Sequence, residues 1–273
     1  MRPEISYSRT GDGRTVLLLH GLGGDRRQAL SLLPDTALAT RIAPDMPGHG
    51  DTDLIDGEPV GFAAFAALTA ALLDALVDRG ERPAGALPVV GVSMGAGIAS
   101  ALAATRPDLV ERLVMIRPSW LDVCPPPNLT AFPVIARLLG TVGPDARCDA
   151  FRATPEYRDV LDAAPAMASS LLGQFTRPHA TERSRVLAEM ANDLPLDRSA
   201  YASLNVATLV VAAPQDPVHP EEVARTLCSW VPGARLATVP RKVLDAPEHQ
   251  LAVQRVVEAA LASSRPGPRK PPR

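Results

Sequence analysis

The stretch "LPVVGVSMGAGIASALAATRP", Leu87–Pro107, decides how the rest of the chain is read. It begins as a short apolar run, "LPVVGV", with the character of a buried strand. It ends as "SMGAGIASALAATRP", small and aliphatic residues suited to a helix that Pro107 stops. At the junction Ser93 stands between Gly91 and Gly95. A strand that turns sharply into a helix brings two backbones close together, and a Cβ at either glycine would block that approach. Such a turn lifts the serine hydroxyl to the carboxyl edge of the sheet. The free N–H groups and the positive dipole end of the helix point at the same place. Two readings compete. Ser93 is an ordinary helix N-cap, or it is a nucleophile beside a donor, the Met94 N–H, for a developing oxyanion. The strand–turn–helix context favours the nucleophile.

Outward from this junction, strands and helices alternate. "VLLLH" (Val16–His20) reads as a buried strand that leaves into "GLGG". "RIAPDMPGHG" (Arg41–Gly50) gives a short strand and a Pro/Gly turn. "FAAFAALTAALLDALVDRG" (Phe62–Gly80) predicts a helix ended by Gly80. "RLVMI" (Arg112–Ile116), "ATLVVAA" (Ala207–Ala213) and a weak "ARLATV" (Ala234–Val239) predict further strands. Helices are expected near Glu221–Trp230 and from about Glu248 to Ala262. This order implies a mostly parallel, doubly wound α/β sheet covered on both faces, with ligands bound beyond the carboxyl ends of the strands. From 118 to 203 no strand is expected. Short helical pieces, "NLTAFPVIARLLG", "EYRDVLDAAPAMASSLLGQF" and "TERSRVLAEMAND", read as a helical insertion over the strand ends, with "CPPPN" as a stiff entry. The expected organisation is a core of 1–117 and 204–263, a cap of 118–203 and a disordered basic tail of 264–273.

Bulk properties narrow the function. With 273 residues, the chain is long enough for one large core or a core with an insertion. A net charge of −2 provides no global field for nucleic acid or an anionic membrane. Three widely spaced cysteines, Cys124, Cys148 and Cys228, suggest neither a disulfide framework nor a zinc site. The first residues lack the apolar stretch of a signal peptide, and no apolar run is long enough to span a membrane. A cytoplasmic location is expected, with no metal or organic cofactor.

A serine nucleophile needs a base, and the base needs an orienting carboxylate. Among the five histidines, His249 in "DAPEHQLAV" follows the last strand, where a loop reaches the serine edge. His219 is its main rival. His20 lies beside the second half of an oxyanion site, His49 is expected to satisfy loop backbone, and His179 is expected to be exposed. Asp216 in "VVAAPQDPVHP" is the preferred acid, because it follows a strand on the correct edge. Asp122 is an outside candidate, and Asp245 stands too near His249. Arg117, at the mouth of the strand beside the serine turn, reads as a cap-anchoring ion pair or as a cation for a substrate carboxylate or phosphate.

In order, "HGLGG" (His20–Gly24), "DMPGHG" (Asp45–Gly50), "GVSMG" and "APQDPVHP" resemble the oxyanion loop, turn, nucleophile elbow and acid loop of the α/β-hydrolase family. The order Ser93, Asp216, His249 agrees, and the resemblance covers about Val16 to Leu261 apart from the insertion. It implies Ser93 as nucleophile, His249 as general acid–base, Asp216 as its orienter, and backbone N–H groups of Leu22 and Met94 as the oxyanion hole. Three departures stand out: Glu248 before the histidine, Ala213-Pro214 opening the acid loop, and Arg117. The implied activity is hydrolysis of a small to medium carboxylester, lactone or thioester, with C–C cleavage ranked lower. Alternatives are a non-hydrolytic binding protein or cyclase on this scaffold, and a thioesterase that meets a carrier protein through the cap or tail.

Overall fold

The computed structural model describes residues 5–242 and 247–263. Asp245 and the 264–273 tail lie outside the described residues. Seven strands form one sheet: β1 (Tyr7–Thr10), β2 (Arg14–Leu19), β3 (Ala39–Pro44), β4 (Leu87–Val92), β5 (Val110–Ile116), β6 (Ala207–Ala212) and β7 (Arg235–Thr238). Their spatial order is β1-β3-β2-β4-β5-β6-β7. Only the β1–β3 pair is antiparallel; the rest are parallel.

Alternation along the strands sorts side chains into two cores. Leu17, Leu19, Val89, Leu113, Met115 and Val210 point to one face, where they meet α2 (Phe62–Asp78), α3 (Met94–Thr105) and α10 (Glu221–Trp230). Val16, Leu18, Val90, Val92, Val114 and Val211 point to the other. There they meet α1 (Arg26–Leu30) and α11 (Glu248–Ala262). Burial on both faces explains why these strands read as unbroken apolar runs rather than alternating ones. Each such fully buried Leu or Val contributes roughly 1.5–3 kcal/mol.

The expected elements stand close to their predicted positions. Gly80 ends α2 with φ +70, and its N–H donates to the Val77 carbonyl (2.9 Å). Two elements escaped the pattern. β1 is a four-residue, half-exposed edge strand with no apolar run. Its Tyr7 hydroxyl donates to Glu81 Oε2 (2.6 Å), which pins it beside the end of α2. α1 has five residues and is started by Asp25, whose side chain accepts from the N–H groups of Arg27 and Gln28.

Between β5 and β6 the chain forms helices only: α4 (Ala131–Thr141), α5 (Arg147–Arg152), α6 (Pro155–Ala163), α7 (Pro165–Leu172), α8 (Ser184–Ala191) and α9 (Arg198–Ser203), with short 3-10 turns. Pro165 divides α6 from α7, because proline removes a helical N–H and clashes with the preceding turn. This segment packs on the loop after β3 and on the first turn of α3. A Cβ on Gly48 would lie 2.7 Å from Val186, and one on Gly97 would lie 2.9 Å from Pro195. No helix among the described residues is long and apolar enough to cross a membrane.

Candidate active site

The chain runs from β2 outward to β3, then returns to β4 on the other side of β2. A crevice opens at this reversal, beyond the carboxyl ends of β2 and β4, where doubly wound sheets bind ligands. The loop His20–Gly24 leaves β2 there, and Ser93 leaves β4.

Ser93 has φ +53 and ψ −114, a conformation that costs a non-glycine residue about 1–3 kcal/mol. Its side chain makes no capping bond to the helix. It is therefore not an ordinary N-cap, and the strain holds the hydroxyl above the turn. The two flanking glycines are sterically required. A Cβ on Gly91 would lie 2.1 Å from the Gly95 carbonyl oxygen, and one on Gly95 would lie 2.3 Å from that of Leu19. The Ser93 N–H donates to the Ile116 carbonyl (2.9 Å), tying the turn to β5. Ser93 Oγ lies 3.4 Å from Ser119 Oγ. A narrow crevice beside it is walled by Trp120, Pro195 and Tyr201.

The loop after β2 runs alongside. A Cβ on Gly21 would sit 3.4 Å from Ser93 Cβ. The loop is held by its own backbone and two buried histidines. Gly21 N–H donates to Gln28 Oε1 (2.8 Å), Gly24 N–H to the Gly21 carbonyl (2.8 Å) and Gly23 N–H to His49 Nε2 (3.0 Å). His20 Nε2 accepts from the Met46 N–H (3.0 Å). With both Nε2 atoms accepting, the ring protons sit on Nδ1, which donate to the Gly21 carbonyl from His20 and the Pro47 carbonyl from His49. Burial lowers both pKa values, that of His49 strongly, with the adjacent His20 charge adding to the effect there. Within this turn the Leu22 N–H alone lacks an acceptor among the described residues. The Met94 N–H is at the first position of α3, with no carbonyl one turn earlier.

Beyond β6 stands Asp216. Its Oδ1 accepts the N–H groups of Val218 and His219 (both 3.1 Å). Its Oδ2 accepts from His219 Nδ1 (2.8 Å) and from Arg117 Nη1 (3.1 Å). Burial would raise the carboxyl pKa, but His219, Arg117 and the backbone donors hold it well below the usual carboxylate range. Arg117 itself has φ +45 at the end of β5 and is buried; its Nε has no hydrogen-bond partner among the described residues. The ion pair that Arg117 makes is with Asp216 in the loop after β6, not with the 118–203 segment as the cap-anchoring reading had it.

His249 is buried in the first turn of α11, and its Nδ1–H donates to the Pro240 carbonyl (2.7 Å). The lone pair is thereby placed on Nε2. Burial pushes its pKa down against the Pro240 bond; the charges of Arg117 and Lys242 add to the fall, and Asp216 opposes it. His249 thus lies within the field of Asp216 without a hydrogen bond to it. Neither His219 nor His249 bonds Ser93 Oγ directly. His219 is lowered by burial, with Asp216 opposing. Asp122, Glu248 and His179 are exposed. Sequence reasoning missed Asn128, whose Nδ2 donates to the carbonyls of Ser119 (3.0 Å) and Val218 (2.7 Å) and so links the β5 loop to the acid loop. A lone asparagine after "CPPP" carries no periodic or motif signal. No group of three or more His, Cys, Asp or Glu among the described residues is arranged to hold a metal ion.

Comparison with known proteins bears on the family and the fold. The model of the alpha/beta hydrolase family matches residues 16–259. The chain is 28% identical over 241 residues to a 2-hydroxymuconate semialdehyde hydrolase of Pseudomonas putida, covering 83% of this chain and 79% of that one. It is 36% identical over 119 residues to the dihydrolipoyllysine-residue acetyltransferase component of the acetoin cleaving system of Cupriavidus necator; that match spans 42% of this chain and only 29% of the relative. Among solved structures, a hydrolase from Pseudomonas aeruginosa PA01 superposes with TM-score 0.71 at 23% identity, covering 96% of this chain and 95% of that one. An enol-lactonase from Burkholderia xenovorans LB400 gives 0.64 at 22%, covering 94% of each chain.

Proposed function

Because this chain belongs to the α/β-hydrolase family, we propose that it is a serine hydrolase acting on an ester-type bond of a small or medium substrate. The observation that carries this reading is the strained, uncapped Ser93 between two sterically required glycines. Ser93 Oγ attacks the carbonyl carbon and passes its proton to His249 Nε2. The carbonyl oxygen becomes an oxyanion that accepts from the N–H groups of Leu22 and Met94. Collapse breaks the bond to the leaving group, which takes the proton from His249, and an acyl-Ser93 ester remains. Water, deprotonated by the same imidazole, attacks that ester and releases the acid and the Ser93 hydroxyl. The 118–203 helices are read as the cap that selects the substrate. The enol-lactonase among the similar solved structures is compatible with lactones beside carboxylesters, and C–C bond hydrolysis ranks lower.

In this reading Asp216 orients His249 once Oδ2 turns to its Nδ1–H, and the Pro240 carbonyl holds that proton meanwhile. The 2.8 Å bond between Asp216 and His219 favours a second reading, in which His219 is the base. Ser93→Ala, His249→Gln and His219→Gln, assayed on p-nitrophenyl butyrate and with a fluorophosphonate probe, separate the two. Ser93→Ala and His249→Gln are expected to lose roughly 10³-fold or more in kcat, and His219→Gln less than about tenfold. The reverse pattern for the histidines makes His219 the base. Full activity in Ser93→Ala ends the proposal.

A further inference from the structure

A cavity of about 410 Å³ opens on the outer side of the loop after β2, between Gly23–Gly24 and residues 176–183. The carboxylates in its wall are already engaged. Asp25 accepts the Arg27 and Gln28 N–H groups. Asp45 accepts the Arg26 N–H (2.6 Å) and the Asp51 N–H (3.0 Å) and pairs with the Arg26 guanidinium (3.1 Å). Asp51 pairs with the same guanidinium.

Two other cations in the wall are differently placed. Arg183 is only 7% exposed, and among the described residues its guanidinium has a single long bond, to the Gly50 carbonyl (3.4 Å). Arg177 is half-buried and has neither a hydrogen bond nor an ion pair among the described residues. Burial lowers the pKa of Arg177 and the charge of Arg183 lowers it further, while the charge of Asp25 opposes; Asp25 and Asp45 likewise oppose the effect of burial on Arg183. A partly desolvated guanidinium with few protein acceptors is unfavourable, and a carboxylate or phosphate matches its fork of donors. The cationic field also continues toward the nucleophile. Lys242 senses both Arg177 and Arg117, and Arg117 stands on Asp216. Gly23 and Gly24 wall the cavity, and Gly21 of the same turn faces Ser93.

We propose that Arg177 and Arg183 form a subsite for an oxyanion, a carboxylate or phosphate, carried by the substrate whose ester-type bond Ser93 opens. The proposal rests on the serine-hydrolase reading and adds a substrate class to it: esters or lactones with an anionic arm. A volume of about 410 Å³ accommodates such a group with several carbons of its chain. Arg177 makes no hydrogen bond or ion pair among the described residues, so Arg177→Gln removes the charge without breaking one.

The test compares p-nitrophenyl butyrate with mono-p-nitrophenyl glutarate, whose acyl chain ends in a carboxylate, in wild type and Arg177→Gln. Wild type is expected to favour the glutarate by about tenfold or more in kcat/KM. Arg177→Gln is expected to lose that preference through KM and to keep butyrate hydrolysis within about threefold. Inorganic phosphate, titrated calorimetrically, is expected to bind wild type more tightly than Arg177→Gln and to compete with the glutarate. Equal preference in the two proteins, or no preference in wild type, overturns the proposal while leaving the serine reading intact. Phosphate binding without a glutarate preference also overturns it, and assigns the cavity to a free anion. Should neither ester be turned over nor Ser93 be labelled by a fluorophosphonate, the serine reading fails. The titration then decides the subsite: binding lost in Arg177→Gln supports it, and no binding in wild type refutes it. Should Arg177→Gln fail to fold, the wild-type protein decides alone: glutarate preference with phosphate competition supports the subsite, and the lack of either refutes it.

Discussion

Gly95→Ala isolates the steric contact that places Ser93. Gly95 does not have a positive φ, so an alanine there meets no backbone penalty, only the atoms in front of it. Those atoms are the carbonyl oxygens of Leu19 at 2.3 Å and His20 at 2.7 Å. Real Cβ atoms essentially never approach closer than 3.0 Å, so α3 must retreat from β2 by at least about 0.7 Å. β2 will not yield instead, because it is hydrogen-bonded to both β3 and β4. Overpacking of this kind costs roughly 1–3 kcal/mol, a fall in Tm of about 2–10 °C for a domain of this size. The same retreat moves Ser93 and the Met94 N–H relative to the loop after β2. Misplacement by about 1 Å costs on the order of 10²-fold in rate, so kcat on p-nitrophenyl butyrate should drop about 30- to 100-fold with KM nearly constant. The fluorophosphonate labelling rate at Ser93 should fall in parallel. If Gly95→Ala is labelled at the wild-type rate, then close approach of α3 to β2 is not what positions the serine.

Gly140→Ala is the complementary substitution: the site is exposed in α4, nothing lies within 4 Å of the new Cβ, and stability should rise by about 0.5–1 kcal/mol, read from thermal melts. Acid should destabilise the loop after β2. His20 and His49 are held neutral with pKa values below the ordinary value of 6.5, so below about pH 6.5 the unfolded chain binds more protons than the folded one. The stability they contribute is complete above that pH and is lost as pH falls toward the folded-state values. His49→Gln should reduce the pH dependence of urea unfolding free energy by about 1.4 kcal/mol per pH unit in that window, and an unchanged slope would show that His49 does not titrate on unfolding.

Local steric and hydrophobic rules made much of the site legible before any coordinates. The passage from β4 through Ser93 into α3 is decided within about twenty residues by apolar burial, two absent Cβ atoms and a terminating proline. Loop-holding by His49 followed from its place in a Pro/Gly turn, and its Nε2 indeed accepts the Gly23 N–H. Short elements resisted. β1 has no apolar run, α5 and α9 have six residues each, and each owes its shape to neighbours rather than to its own period.

By itself, the amino-acid order made the layered α/β architecture, the serine turn and the Asp216 loop legible, because each carries a signal in residues near one another in the chain: apolar runs, flanking glycines and turn residues. Only the tertiary structure decided what meets Asp216. Its carboxylate joins Arg117, 99 residues away, and His219, while His249 rests on the Pro240 carbonyl. Tertiary packing also set Arg177 and Arg183 around one cavity with Gly23 and Gly24 of the loop after β2. Charge pairing acts through space over a few ångströms, and the distances that matter exist only after the sheet has brought remote loops to one edge.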